Sequence, residues 1–306
     1  MSGRRPLPPQ VALNLGALSA DPFDDVTVTR RTALGPHHML PFLFDDAALP
    51  KRPTLLALGA HSDDIEIGCG GTLLHLAELH PELEVVWVVL SATRERADEA
   101  RASAEAFAGS VASLRVIVED FRDKYFRHDG EAMRELFEFL QSQIDPDVIL
   151  THRRGDSHQD HRFVCELTWN TFRNNLILEY EIPKYDGDLS SPNLFVPIAP
   201  ELAERKIETI LRCFESQRQR HWFTEDLFMA MLRLRGMEAN SPTRLAEAFT
   251  CRKAVLDLSN ISAERPGAAR AERTLSLLPP TESGGGRVIS FAHTRPPDGP
   301  TDLLAG

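Results

Sequence analysis

Between Thr54 and Ile182 the chain alternates short apolar runs with longer stretches in which apolar residues recur every three or four positions. The run Leu55-Leu56-Ala57-Leu58-Gly59-Ala60 has the length of a buried strand, and Leu73, Leu74, Leu76, Ala77 and Leu79 follow it at helical spacing. Leu83–Thr93 then predicts a strand and Arg94–Gly109 a helix rich in Ala, Arg and Glu. Leu114–Val118 predicts a strand and Glu131–Ile144 a helix with Met133, Leu136, Phe137 and Leu140 on one face. Asp147–Thr151 predicts a strand, His161–Asn174 a helix carrying Val164, Leu167, Trp169 and Phe172, and Leu176–Ile182 a further strand. This βα alternation predicts an α/β fold, a mostly parallel, Rossmann-like sheet with helices on both faces.

After Pro183 the pattern loosens. Lys184-Tyr185-Asp186-Gly187-Asp188 and Ser190-Ser191-Pro192-Asn193 are loop chemistry. Glu201–Ser216 and Asp226–Arg235 read as helices. Ala246–Leu258 reads as a strand from the alternation of Phe249, Cys251 and Val255, although a helix fits nearly as well. Residues 1–52 are punctuated by proline and read as an irregular N-terminal extension, packed on the core through Met39, Phe42 and Phe44. Residues 53–260 form the expected catalytic domain. Residues 261–306, rich in Pro, Gly, Arg and Glu, read as a largely disordered tail with Val288–Ala292 as a short exception. The sequence shows no internal repeat.

Composition narrows the function classes. The 306 residues carry a net charge of -11, which argues against a nucleic-acid partner because phosphate binding needs a positive footprint. Cys69, Cys165, Cys213 and Cys251 form no CxxC pair and read as buried, reduced thiols of a cytoplasmic protein. Arg4 and Arg5 precede Pro-Leu-Pro-Pro rather than an apolar core, so no secretory leader is expected, and no apolar run is long enough for a membrane span. The oligomeric state leaves no mark on the sequence.

The candidate chemistry lies in two clusters. His61-Ser62-Asp63-Asp64 sits in the turn between the first strand and its helix, and His158-Gln159-Asp160-His161 follows the fourth strand. In open α/β sheets such turns lie at the carboxyl edge, where ligands bind. A hydrolytic zinc site needs three protein ligands and an open position for water. His61 and Asp64, three apart in a turn, can face one point, and His161 can supply the third ligand. Asp63 is then free to take a proton from water. His158, as an imidazolium, would stabilise the oxyanion or protonate the leaving amine, with Asp160 holding it in that state. The rival reading of the Asp-Asp pair is a helix N-cap. Gly68-Cys69-Gly70-Gly71 lacks a G-x-G-x-x-G or Walker pattern and reads as glycines that allow tight strand-to-helix packing. His75, His80 and His128 have no such partners and read as surface residues.

At these residues the chain resembles the PIG-L or LmbE-like zinc-dependent deacetylases. Ala60-His61-Ser62-Asp63-Asp64-Ile65-Glu66-Ile67-Gly68-Cys69-Gly70-Gly71-Thr72 is similar to the family's A-H-P-D-D-E motif continuing to G-C-G-G-T. Ser62 stands in place of proline, and Ile65 in place of glutamate with Glu66 beside it. His158-Gln159-Asp160-His161 resembles the H-x-D-H motif. Weaker echoes are Asp123 with Tyr125, Pro146-Asp147, Lys206 on the helix that ends in Ser216-Gln217, and Ala246-Glu247-Ala248-Phe249. The similarity spans roughly residues 53–258. It implies one Zn²⁺ per chain on His61, Asp64 and His161, with Asp63 as general base and His158 as the second acid or electrostatic group oriented by Asp160. The implied reaction is removal of an acetyl group from a small-molecule N-acetylated amino sugar or its conjugate.

Arg94, Arg96, Tyr185 and Asn193 are candidate substrate contacts because they fall in loops near the same sheet edge. Two rivals stand beside the deacetylase. A non-haem Fe(II) oxygenase also uses two histidines and a carboxylate, although usually on a double-sheet β scaffold. The other is a relative that binds sugar without turning it over.

Overall fold

A computed structural model describes residues 52–255. The readings made for the N-terminal extension, including Met39, Phe42 and Phe44, and for the C-terminal tail with Val288–Ala292 lie outside the described residues.

The βα alternation is realised as β1 (Thr54–His61), α1 (Asp64–Leu79), β2 (Glu84–Ser91), α2 (Arg94–Ala108), β3 (Ser113–Val118), α3 (Gly130–Gln143), β4 (Val148–His152), α4 (Gln159–Thr171) and β5 (Leu176–Tyr180). There follow β6 (Leu194–Pro197), α5 (Pro200–Cys213), a 3₁₀ turn at Glu215–Gln217, α6 (Glu225–Glu238) and β7 (Ala246–Cys251). One seven-stranded sheet has the order β3-β2-β1-β4-β5-β7-β6. The strands β1 to β5 pair in parallel, and β7 pairs antiparallel with both β5 and β6.

The central strands read as unbroken apolar runs because both of their faces are covered. Along β1, Leu55 and Ala57 join an apolar layer with residues of α1, α2, α5 and α6, whereas Leu56, Leu58 and Ala60 join a second layer with residues of α3 and α4. Along β2, Val85, Trp87 and Val89 divide from Val86, Val88 and Leu90 in the same way. The chain winds outward from β1 through β2 to β3, then returns to add β4 on the opposite side of β1. The topological switch point therefore lies between the carboxyl ends of β1 and β4, the place where open α/β sheets bind ligands.

The structure differs from the sequence pattern at a few points. β6 falls in a stretch that reads as loop. It has only four residues, sits at the sheet edge and tolerates Pro197 for that reason. β7 is a strand, and it ends at Cys251 rather than continuing to Leu258. β4 runs one residue further than Thr151 and takes in His152. Among the thiols, Cys69 and Cys165 are buried, whereas Cys213 and Cys251 are half-buried, and all four are free.

The glycines after Asp64 serve packing, as their pattern predicts. A Cβ on Gly68 would lie 2.3 Å from Cδ2 of Tyr180. That ring cannot step aside easily, because the Tyr180 hydroxyl donates to the Leu58 carbonyl at 2.6 Å in the buried core. Gly68→Ala should therefore cost about 1–3 kcal/mol through overpacking, read as a lower urea midpoint. An unchanged midpoint would show that the ring has room to move.

Candidate metal centre

The end of β1 and the start of α1 are joined by the turn Ser62-Asp63. This turn brings Asp64 Oδ2 back onto its own strand, where it accepts the His61 backbone N–H at 2.7 Å. The same oxygen lies 3.3 Å from His61 Nδ1 and 3.5 Å from Nε2 of His161 on α4. The two ring nitrogens are 3.3 Å apart. Two imidazole nitrogens and one carboxylate oxygen thus form a nearly equilateral triangle. A tetrahedral ion with bonds of about 2.0–2.2 Å holds its donors about 3.3–3.6 Å apart, so the three sequence-predicted ligands fit such an ion as they stand.

Each histidine is oriented from behind. His61 Nε2 lies 3.1 Å from Asp123 Oδ1, and His161 Nδ1 lies 3.1 Å from Asp156 Oδ2. A carboxylate on the far nitrogen fixes the tautomer and leaves the near nitrogen's lone pair for a metal. The hydrogen bond from His61 lowers the Asp123 carboxyl to about 2. Burial would raise Asp156, but His161 and Lys184 hold it below its ordinary value, with Lys184 Nζ at 2.9 Å. Burial and the neighbouring His152 bring His161 down to about 4, whereas His61, which burial would lower, is held well above its ordinary value by Asp123, Asp160 and Asp64. Asp64, although buried, is held well below the usual carboxylate range by His161 and His152.

His152 and Asp156 are the residues the sequence pattern passes over. His152 is fully buried, its ring stacked on His161 with centroids 3.9 Å apart, and its Nε2 lies 3.2 Å from Asp64 Oδ2. That nitrogen already accepts the Ala60 N–H at 2.9 Å, so His152 backs the triangle of candidate ligands. It directly follows the apolar run of β4, and a strand read to its last buried position would have included it. Asp156 lies five residues before His161, in a loop with no periodic signal.

Asp63 is buried beside the triangle, and its Oδ1 accepts from Arg96 Nη2 at 2.8 Å. Burial raises its carboxyl and Arg96 partly opposes that rise. Arg96 in turn reaches Ser216 Oγ at 3.2 Å, and Glu99 fixes Ser216 at 2.7 and 2.8 Å. Arg96, expected at the substrate, is thus in contact with the candidate base.

His158 N-caps α4, and its Nδ1 accepts the Asp160 backbone N–H at 3.3 Å. Its ring stands edge-on to His61, with centroids 5.0 Å apart. The expected pairing of His158 with the Asp160 carboxylate is not formed. Asp160 Oδ2 instead accepts the N–H of Lys124 at 2.5 Å, a residue in the left-handed region at φ 70°, and lies 3.8 Å from His61 Nε2. Burial and the nearby His61 lower the His158 pKa, and the positive end of a helix also opposes an imidazolium there. With Nδ1 accepting, the hydrogen-bond network places the proton on Nε2.

The remaining candidates separate. Tyr185 is 70% exposed, with its hydroxyl 3.4 Å from His221 Nδ1. Its loop is anchored by Asp188, which receives Arg153 at 2.9 Å, the Ser157 N–H at 2.7 Å and Lys184 at 3.0 Å. Arg94 is exposed at the start of α2. Asn193 is occupied elsewhere: its amide donates to the Cys251 carbonyl at 3.0 Å and accepts the Cys251 N–H at 2.8 Å, clamping the edge of β7. Ile65 is wholly buried in the apolar layer. Glu66 is buried with neither carboxyl oxygen hydrogen-bonded among the described residues, and burial pushes its pKa well up. Glu66 therefore does not stand in for a glutamate that orients a ligand. His75 and His80 are half-buried and His128 is exposed.

A family model described as PIG-L, GlcNAc-PI de-N-acetylase, matches residues 56–172. An Escherichia coli (strain K12) protein described as the uncharacterized deacetylase YaiS is 31% identical over 145 residues, covering 44% of this chain and 76% of that one. The chain belongs to the PIG-L family of de-N-acetylases, enzymes that hydrolyse an N-acetyl amide. Two solved structures share its fold. The conserved protein TT1542 from Thermus thermophilus aligns with a TM-score of 0.55 at 21% identity, over 68% of this chain and 99% of that one. GalB, the 4-carboxy-2-hydroxymuconate hydratase from Pseudomonas putida KT2440, aligns with a TM-score of 0.56 at 18% identity, over 67% and 98%. A hydratase on this fold shows that the reaction has to be argued from the site. Among the described residues no helix is long and apolar enough to cross a membrane.

Asp156→Ala should weaken metal binding by about 10–100-fold while the circular dichroism of the protein is retained, because outer carboxylates orient ligating histidines. Chelator competition measures it. Wild-type affinity in that variant would show that His161 is held well enough by stacking on His152.

Proposed function

We propose that the chain is a zinc-dependent N-deacetylase that removes the acetyl group from a small N-acetylated amino sugar or its conjugate, with one Zn²⁺ per chain. The carrying observation is the triangle of His61 Nδ1, Asp64 Oδ2 and His161 Nε2, with edges of 3.3, 3.5 and 3.3 Å and the buried carboxylate of Asp63 next to Asp64. Two imidazoles and a carboxylate are the donor set of hydrolytic zinc sites. Bound there, zinc supplies Lewis acidity toward an amide carbonyl and makes water acidic enough to attack near neutral pH.

The chain's own residues do the rest. Asp63 takes the proton of the attacking water and passes it to the amide nitrogen as the C–N bond breaks and the amine leaves, and the rise in its pKa on burial makes it a better base than an exposed aspartate. Arg96 keeps Asp63 in place and ionised before substrate arrives. His158, its ring edge-on to His61, presents Nε2–H to the oxygen of the amide as negative charge develops. It acts as a neutral donor, in place of the imidazolium expected from the sequence. Asp123, half-exposed at the rim, and the open face of Tyr185 suit the hydroxyls and ring of a sugar.

Acetate release across a panel of N-acetylated amino sugars, with metal content measured on protein purified without added metal, tests the reading. Iron in place of zinc, or no release from any amide with zinc bound, would overturn it. His61→Ala, Asp64→Ala and His161→Ala should each lose stoichiometric zinc. Asp63→Asn should keep zinc and lower kcat by about 10²–10⁴. Zinc loss in Asp63→Asn would mean that Asp63 is a ligand. His158→Ala should lower kcat by about 10²–10³ with zinc retained. His158→Gln, which keeps a neutral N–H donor, should recover part of that loss. Equal activity of the two variants would count against a donor role.

A further inference from the structure

Helix α1 is two helices joined end to end. At Cys69 the backbone leaves helical geometry, with φ -146° and ψ 17°. The segment before the break is little more than one turn, and it carries Asp64 and follows directly on Asp63. A single turn does not hold itself together, because nucleating a helix costs more than one turn returns. The break also strips carbonyls of partners on one side and N–H groups on the other.

Two charged side chains from distant parts of the chain take up those groups. Lys206 on α5 donates Nζ–H to the Ile67 carbonyl at 2.8 Å, on the near side of the break. Glu247 on β7 accepts the Gly71 N–H with Oε1 and the Thr72 N–H with Oε2, both at 2.7 Å, on the far side. Lys206 and Glu247 pair with each other at 2.6 Å, and each is 3% exposed. A Cβ on Gly71 would come within 3.0 Å of Glu247 Oε1, so the glycine makes room for this close approach.

A buried ion pair is a poor source of stability, since desolvation offsets most of the attraction and an apolar pair often does as well. An apolar pair cannot bond a carbonyl and two amides across a helix break. We propose that Lys206 and Glu247 are positioning residues that set the angle of the metal-binding turn against the rest of α1, so that Asp64 meets His61 and His161. This role rests on the metal-site reading above, and it goes beyond it by giving two residues outside the site a share in metal affinity.

The test uses the full chain and zinc alone as the probe. Glu247→Gln and Lys206→Met are compared with wild type, with His61→Ala, and with Met133→Ala. Met133 is buried in the layer formed with α3 and α4, away from α1, and its truncation is a control for lost stability. Both pair variants should bind zinc about 10–100-fold more weakly, as supporting residues of a metal site do. In the zinc-free state Glu247→Gln should also speed amide exchange at Gly71 and Thr72. Met133→Ala should lower the melting temperature and leave zinc affinity within twofold of wild type. If Glu247→Gln does not fold, Lys206→Met, which leaves the two amides capped, gives the answer alone. Wild-type zinc affinity in a pair variant whose melting temperature falls like that of Met133→Ala would reduce the pair to a structural role. Wild-type protein that binds no more zinc than His61→Ala overturns the metal reading and the proposal together.

Discussion

One carboxylate oxygen organises this molecule. Asp64 Oδ2 lies within 3.5 Å of the His61 backbone nitrogen and of ring nitrogens from His61, His152 and His161. These groups come from the ends of β1 and β4 and from α1 and α4, so all four elements have to end within a few ångströms of one point. A parallel sheet allows this because its strand ends share one edge, and the reversal of winding between β1 and β4 opens a gap there. The apolar layers on the two faces of the sheet then keep that edge in place. Burial makes the arrangement exacting: a carboxylate out of water has to be matched by donors or by a cation.

Much of this could be read from the chain itself. The parallel half of the sheet announces itself because doubly covered strands are unbroken apolar runs and the helices between them are periodic. The candidate ligands His61, Asp64 and His161 stand out because they lie directly at strand and helix ends. What stayed hidden depends on tertiary contact. Leu194–Pro197 is too short and too proline-flanked to show strand alternation, and it becomes a strand only because β7 offers it an edge. Asp156 lies in a loop, and only the fold places it behind His161. The contact expected between His158 and the Asp160 carboxylate is absent for a related reason. Asp160 Oδ2 is turned toward the Lys124 N–H and His61, an orientation that only the fold supplies.

The late part of the chain turns back to the first motif. Ser216 touches the arginine that holds Asp63, while Lys206 and Glu247 reach the helix that starts at Asp64. Nothing in the helical period of α5 marks Lys206 as buried rather than solvated, because one lysine among Glu, Arg and Glu looks like a polar face. The weak sequence echoes at these positions acquire a physical sense once the sheet is closed by β7.

The threefold grip of Asp188 has a consequence for how such a protein can diversify. It fastens the loop bearing Tyr185 to the loop bearing Arg153 and Ser157, and Lys184 extends the fastening to Asp156 and so to His161. The two loops therefore behave as one mechanical unit. Exchanging one without the other would leave cut ends at Asp188, and the disturbance would travel through Lys184 and Asp156 to His161. The rim that carries Asp123 is tied to the same centre, because Asp123 itself holds His61 Nε2 at 3.1 Å. Lys124 fastens that loop to the start of α4 through Asp160 and Gln159, so only the exposed Tyr125 beside it can change without reaching a histidine of the site.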